Sequence, residues 1–405
     1  MNKKISVWTM IVCLIVSVVV TFNTTYTVLN VIHNKEKAEI LTHDKFLGYL
    51  MTVSELIDKN FAGDIDDQEL KDAVIRGYLQ GIGDKYSAYM NANEYEAYKA
   101  EFNGNAVGIG INALFDIENN LIEVLEVIAN SPAEKAGILA GDFIVAVNGS
   151  RVKEVGYYET LDLIKGDAGT EVIITVLRNE NEIDINCVRD AVEVVTVKYR
   201  VHSIDKAVGV ISISSFYSKT PNELQAAVES LKLNGCTKFV FDIRNNGGGE
   251  LGSIIKSLDY LLPEGKLADI YYKSTGKTST YKSDESFLDA SVAVLVNGNT
   301  ASAAELFAAA LRDYTKEGKY DAVLIGTTTY GKGVFQSTFE MADGSAFKIT
   351  CGRYDPPCGI NYDGAGVVPD VIEDLSEEAK KIGIYKLNDE SDNQLALAVS
   401  KLASK

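Results

Sequence analysis

The run Val292-Ala-Val-Leu-Val296 is apolar at every successive position. A strand alternates its side chains between two faces, so such a run has to be covered on both sides. That requirement points to a layered α/β domain with a largely parallel sheet. The surrounding sequence agrees. From residue 208 onward, strand-like runs at 208–216, 238–244, 267–272, 291–296 and 321–326 alternate with helix-like segments at 223–233, 251–262 and 303–315. Runs 335–339 and 346–350 flank Ala342-Asp-Gly344 as the arms of a hairpin would. The tail beyond residue 375 reads as charged and helical.

Upstream the pattern changes twice. Between residues 35 and 100 apolar side chains recur at helical spacing, as in Phe46, Leu47, Leu50, Val53, Leu56 and Ile57. A second helix starts near Asp67 and stops at Gly81-Ile-Gly83, and Asn91 or Asn93 opens a short third one. This region reads as a helical spacer or an arm through which two copies dimerise. Residues 103–190 instead carry strands at 107–114, 121–127, 143–147 and a last buried one at 171–177. Among them lie a capped short helix at Ser131-Pro-Ala-Glu134, a hairpin turn at Asn148-Gly149 and an amphipathic helix over 156–164. The order of these elements and the glycine-rich opening strand resemble a PDZ domain, a small β-barrel with two helices. That resemblance implies that a peptide C-terminus adds as a strand beside residues 109–114. Its carboxylate would rest on the backbone N–H groups of Val107, Gly108, Ile109 and Gly110. A glycine-containing edge strand without a ligand is the plainer alternative.

Composition narrows the partners. The net charge of −18 argues against nucleic acid, which needs clustered Lys and Arg. Lys3 and Lys4 precede an uncharged apolar run over 5–22, long enough for a membrane-spanning helix, and no small-x-small cleavage site follows it. The lysines hold the short end in the cytoplasm and send the remainder outside it. A cleaved signal is the alternative. The five cysteines have neither C-x-x-C spacing nor a nearby histidine, which speaks against zinc. Cys351 and Cys358 could face each other across a turn at 353–357 as a disulfide; that stays open.

Three stretches carry chemistry. Thr300-Ala-Ser302-Ala-Ala-Glu305 sets a hydroxyl at a strand-to-helix turn, where the helix N-terminus favours negative charge. The same letters make a capping box, so Ser302 could simply cap. Tyr330-Gly-Lys332-Gly-Val-Phe-Gln336 offers an amine with glycine on either side. If 332–336 is extended, Lys332, Val334 and Gln336 share one face. The three histidines, His33, His43 and His202, lie far from both stretches in sequence, so a nucleophilic Ser302 needs Lys332 as its base. Lys332 could otherwise be a turn residue. Asp242-Ile-Arg244-Asn-Asn-Gly247-Gly-Gly249 joins a strand to a helix and exposes amides suited to an anion. It lacks the Gly-Lys-Ser/Thr ending of a phosphate loop. Asp242 and Arg244 read as an ion pair holding that loop.

These motifs, with Gly83-Asp-Lys-Tyr-Ser-Ala-Tyr89 and Gly366-Val-Val-Pro-Asp370, resemble in family order the carboxyl-terminal processing peptidases, or tail-specific proteases. The likeness spans about residues 70–372. It implies Ser302 as nucleophile, Lys332 as general base, Gln336 as the group orienting the amine, and an oxyanion hole from the Ala303 N–H with one of Gly247–Gly249, Gly248 being favoured. It implies no cofactor or metal, and protein or peptide substrates with exposed C-termini. Two departures stand out: an apparent insertion at 314–319 and Arg353-Tyr-Asp-Pro-Pro-Cys-Gly359 in place of the family's Arg-Tyr-Tyr-Thr-Pro-Ser-Gly.

The expected organisation is a cytoplasmic stub and transmembrane anchor (1–22), a helical region (23–102), a PDZ domain (103–190), a serine–lysine protease domain resembling the crotonase/ClpP-like core (191–375) and a helical tail (376–405). The expected location is the bacterial cell membrane, single-pass, with the catalytic part extracytoplasmic. An inactive membrane-tethered PDZ scaffold and a small-amide hydrolase are the competing readings.

Overall fold

The computed structural model describes residues 45–116 and 119–403, together with Thr21. It forms two compact units, Met1–Lys71 and Asp72–Lys405. In the first, a helix over 45–60 (α1) exposes Phe46, Leu47, Tyr49, Met51 and Leu56. The Asp66 carboxylate accepts from the Gln68 and Glu69 N–H groups at 2.9 and 3.0 Å and so opens α2 (Asp67–Gln80). The apolar run read as an anchor lies outside the described residues apart from Thr21. No helix among the described residues is long and apolar enough to cross a membrane.

The second unit takes in α2 from Asp72 onward and continues with β1 (Ala88–Met90) and α3 (Ala92–Phe102), the latter closed at its start by a capping box between Asn91 and Glu94. Two strands, β2 (Asn105–Gly108) and β3 (Ile111–Asp116), lead into β4 (Leu121–Val127) and the short α4 (Pro132–Ala136). Next come β5 (Phe143–Val147), β6 (Ser150–Arg151), α5 (Val152–Val155), α6 (Tyr157–Ile164), β7 (Glu171–Arg178) and β8 (Asn181–Val188). Strand β9 (Asp190–Glu193) returns to pair antiparallel with β2, so the ends of this module meet in a ribbon. Its main sheet has the order β3-β4-β5-β7-β8, which leaves β3 as an edge. The Asn148-Gly149 turn has both residues at positive φ, 50° and 83°, as a two-residue hairpin requires. One expectation fails: β7 is not the last strand. The β7–β8 turn, Asn179-Glu180, also has positive φ at both positions, 49° and 65°, but without glycine it carries a weak signal. Charged residues on the outer face of β8 hide its two buried side chains, Ile185 and Cys187.

Beyond the ribbon lie β10 (Val197–Val201), β11 (Val208–Ile213), α7 (Thr220–Leu233), β12 (Lys238–Asp242), α8 (Leu251–Leu261), β13 (Gly265–Tyr272), β14 (Lys277–Ser283), β15 (Ser291–Val296), α9 (Ala303–Lys316), β16 (Ala322–Gly326), β17 (Val334–Glu340), β18 (Ala346–Asp355), β19 (Val371–Ile372), α10 (Glu377–Ile382) and α11 (Asn393–Ala403). The order β10-β11-β12-β15-β16-β19 is parallel except at β10. Strand β15 is covered on both faces, as its sequence demands. Val292, Val294 and Val296 join the core under α7, α8 and α9, while Ala293 and Leu295 meet Leu395, Ala398 and Leu402 of α11. Full burial of each Val or Leu is worth about 1.5–3 kcal/mol. The tail is therefore one layer of this domain rather than an appendage.

Two further expectations are corrected. Residues 267–272 do not join the parallel sheet. Their strand β13 is buried mainly on one face and pairs antiparallel with β14 and β18, in a second sheet that includes β1 and β17. Residues 72–102 are not a separate arm: β1 pairs with β18, and the buried Tyr89 ring packs against Phe347 at 5.4 Å.

Candidate active site

Strand β15 and the loop after β12 set the stage for Ser302. The Ala301 N–H donates to the Asn246 carbonyl at 2.9 Å, and Thr300 Oγ1 donates to the Ile243 carbonyl at 2.9 Å. These bonds stitch the turn before α9 to the glycine loop before α8. Ser302 itself has φ 60° and ψ −122°, a conformation costly for a residue with a Cβ. Strained strand-to-helix turns of this kind expose a nucleophile. The Tyr354 hydroxyl lies 2.9 Å from Ser302 Oγ and 2.8 Å from the Lys332 carbonyl oxygen. A phenol has one proton: it donates either to Ser302 Oγ or to the Lys332 carbonyl, and only when it donates to the carbonyl does its oxygen accept from the serine.

Ser302, Ala303, Lys332, Gln336, Gly247 and Gly249 line one cleft of about 720 Å³. Leu251, Ile254, Leu306 and Phe335 give it apolar walls, and Tyr98 and Phe102 of α3 close one side. Lys332 is half-buried in this cleft. Desolvation holds its pKa below the ordinary lysine value, repulsion from Lys348 adds to that, and Asp84 and Glu305 oppose it. Its amine sits 4.6 Å from the centroid of the Tyr86 ring. Among the described residues no hydrogen bond joins that amine to Ser302 Oγ, a common looseness before substrate arrives.

The positions of the other expected residues differ in detail from the sequence reading. Lys332 precedes β17, and a bulge between Phe335 and Gln336 breaks the alternation, so the shared face does not arise from a two-residue period. Both side chains reach the cleft all the same. Gln336 Nε2 donates to Thr350 Oγ1 at 3.1 Å rather than to the lysine. The Gly248 N–H is taken by Asn246 Oδ1 at 2.8 Å, and this glycine is absent from the cleft lining, while its neighbours Gly247 and Gly249 are present. Gly248 matters differently: at φ 105°, a Cβ there would stand 2.8 Å from Ser302 Cβ.

In the small barrel, Val107 and Gly108 pair with Ala191 and Asp190 in the β2–β9 ribbon, so they are not a free carboxylate loop. Ile109 is buried and its carbonyl accepts from Ala133 N–H at 2.7 Å. Gly110 has φ 80°, and a Cβ there would fall 2.3 Å from Ser131 Cβ. Only 109–110 remain as the turn into the open edge β3. Cys351 and Cys358 are free thiols. The expected turn at 353–357 is strand as far as Asp355.

Four residues of the site were not singled out from sequence: Tyr354, Tyr86, Lys348 and, as more than a cap, Glu305. Tyr86 falls inside a motif whose likeness was noted and Tyr354 inside a stretch noted as a departure, but no spacing marks either as touching Ser302 or Lys332. The ion pair read from sequence is present, with Arg244 2.6 Å from Asp242 and also 2.7 Å from Asp392 of the segment before α11.

Residues 207–372 match the model of peptidase family S41, and residues 123–178 match that of the PDZ domain. A probable CtpA-like serine protease of Staphylococcus aureus strain COL is 32% identical over 370 residues, 91% of this chain and 73% of that protein. A carboxy-terminal-processing protease of Bartonella bacilliformis is 33% identical over 318 residues, 76% of this chain and 70% of that one. The solved photosystem II D1 C-terminal processing protease superposes with a TM-score of 0.52 and 27% identity, covering 85% of this chain and 92% of that one. A putative S41 protease from Bacteroides fragilis shares the fold, with a TM-score of 0.58 at 18% identity and the same coverage. The chain belongs to peptidase family S41 and is a serine-type peptidase carrying a PDZ domain.

Proposed function

We propose that this chain is a membrane-anchored, extracytoplasmic bacterial endopeptidase that reads the C-terminal tails of protein substrates through its PDZ domain and cleaves them by a Ser302–Lys332 mechanism. The observation that carries the reading is a strained serine at a helix N-terminus sharing an apolar-walled cleft with a half-buried lysine of depressed pKa. As Ser302 Oγ bonds to the peptide carbonyl carbon, its proton passes to neutral Lys332 Nζ. The carbonyl oxygen becomes an oxyanion held by the Ala303 N–H and an amide of Gly247 or Gly249. The ammonium then returns the proton to the leaving nitrogen as the C–N bond breaks, leaving an acyl-enzyme that water hydrolyses. Gln336, in the same cleft, would orient the amine only after giving up its hydrogen bond to Thr350.

The edge strand β3 suits addition of a peptide strand, and the turn at 109–110 its carboxylate. Residues 5–22 supply the anchor, and the apolar residues exposed on α1 offer a surface for a second copy. The test is hydrolysis of an unstructured protein with an exposed C-terminal tail. Ser302→Ala and Lys332→Ala each lose activity while remaining folded with a cooperative melting transition; full activity in either rejects the mechanism. Deleting 103–190 and retaining tail-dependent cleavage rejects the PDZ role.

A further inference from the structure

We propose that Glu305 is the positioning residue that sets the distance between nucleophile and base, an inference resting on the assignment of Ser302 and Lys332 above. Glu305 sits in the first turn of α9 with its side chain fully buried, and its carboxylate is saturated with donors. The Ser302 N–H and the Lys332 N–H both donate to Oε2, each at 2.8 Å. Gly331 N–H and Thr329 Oγ1 donate to Oε1 at 2.6 and 2.5 Å. Thr329 in turn accepts from Val367 N–H at 2.7 Å, which ties in the segment before β19.

One oxygen atom thus receives the backbone amides of both the nucleophile and the base. Their nitrogens can stand no farther apart than two hydrogen-bond lengths, whatever the surrounding loops do. A cap needs only the Ser302 bond. The three bonds to the 329–332 loop are surplus to capping and bind the base-bearing loop to the nucleophile helix.

Only a carboxylate of this length meets the demand. An amide would turn its NH2 group toward two donors, and aspartate is one methylene short of bridging both. The charge itself opposes catalysis, because an anion near Lys332 favours the ammonium. Around that amine lie Asp84 and Lys85 before β1, Tyr86, Lys348 on β18 and Glu305 on α9. A carboxylate retained here despite that penalty is retained for geometry.

The experiment compares Glu305→Gln, Glu305→Asp and Thr329→Val in the full chain, with kcat, KM, pH profile and thermal melting measured on one tail-bearing substrate. Folded Glu305→Gln loses about 100-fold in kcat with KM little changed, since displacing a reacting group by around an ångström costs on this order. Its residual activity has an acid limb at lower pH than wild type, which a general loss of structure does not produce. Glu305→Asp recovers part of kcat, and Thr329→Val, which spares the shared oxygen, stays within about fivefold. A folded Glu305→Gln with kcat within fivefold of wild type, or a loss confined to KM or melting temperature, overturns the proposal. If the variants do not fold, hydrogen exchange of the wild type decides: the Ser302 and Lys332 amides exchange together, and separate rates overturn the shared clamp. Ser302→Ala and Lys332→Ala run alongside keep the outcomes distinct, since activity in those rejects the mechanism and not the clamp.

Discussion

Tyr354 and Ser302 stand with their hydroxyl oxygens 2.9 Å apart, and the tyrosine is buried beneath the serine's turn. Burial holds the phenol well above its ordinary pKa, and the Ser302 hydrogen bond opposes that only in part. The hydroxyl is therefore held in its protonated form around neutral pH. It restrains the serine rotamer without competing as a base.

Tyr354→Phe keeps the ring and removes that restraint. The expected result is a fall in kcat of about tenfold, the value of one hydrogen bond of roughly 1.4 kcal/mol, with KM unchanged. Steady-state kinetics of the folded variant check it, and an unchanged kcat means that the contact does not survive into the transition state.

The pH dependence follows from Lys332. In the proposed mechanism activity needs its neutral form, so kcat/KM is expected to rise as pH climbs through the depressed lysine pKa. Burial is the larger cause of the depression and Lys348 the next. Removing the second amine with Lys348→Met relieves the repulsion, raises the Lys332 pKa and moves the acid limb to higher pH. A pH–rate profile of the two proteins gives the answer; a limb that stays in place or moves down contradicts the coupling.

The same shift has a stability consequence of opposite sense. A lysine whose folded pKa lies below its unfolded value leaves the unfolded chain binding more protons between those two values. Stability then rises with pH across that window, up to an unfolded value near 10.4. Below the window the buried ammonium is a net cost. Lys332→Met, which keeps the apolar stem, is expected to melt higher than wild type at neutral pH, with the difference shrinking as pH approaches 10. Calorimetry at several pH values tests this; a lower melting temperature at pH 7 speaks against the cost.

What sequence reveals here depends on how local each signal is. The apolar run 292–296 announces two covered faces, and Asn148-Gly149 announces its turn, because both are written in adjacent residues. It does not announce that α11 supplies the second cover, since the partners of Ala293 and Leu295 lie about a hundred residues on. Ser302 and Lys332 are legible from their flanking small residues. Tyr354, Tyr86 and Lys348 meet them only through pairing of β18 with β1, β13 and β17, and no period in the chain encodes that meeting. The hydrogen bond of the Gly248 N–H was hidden for a related reason. Consecutive glycines mark a close approach but not which amide stays free, and here the Asn246 side chain takes one of them.

Gly248 supplies the last prediction. Its φ of 105° is available to glycine and strained for other residues, and an added Cβ would meet Ser302 Cβ at 2.8 Å, the Ala301 carbonyl oxygen at 2.9 Å and Ala303 N at 3.0 Å. None of these atoms is a flexible side-chain end; all belong to the turn that strains Ser302. Gly248→Ala must therefore either push that turn away from the glycine loop or distort the loop amides beside it. The expected outcome is a loss of about 1–3 kcal/mol in stability, the usual cost of forcing a residue into a disfavoured backbone region. A fall in kcat larger than that of Tyr354→Phe should accompany it, because both the serine and the oxyanion donors shift. Denaturant unfolding and kinetics on the same preparation check both parts. A variant with wild-type stability and kcat would show that the turn has room the structure does not give it.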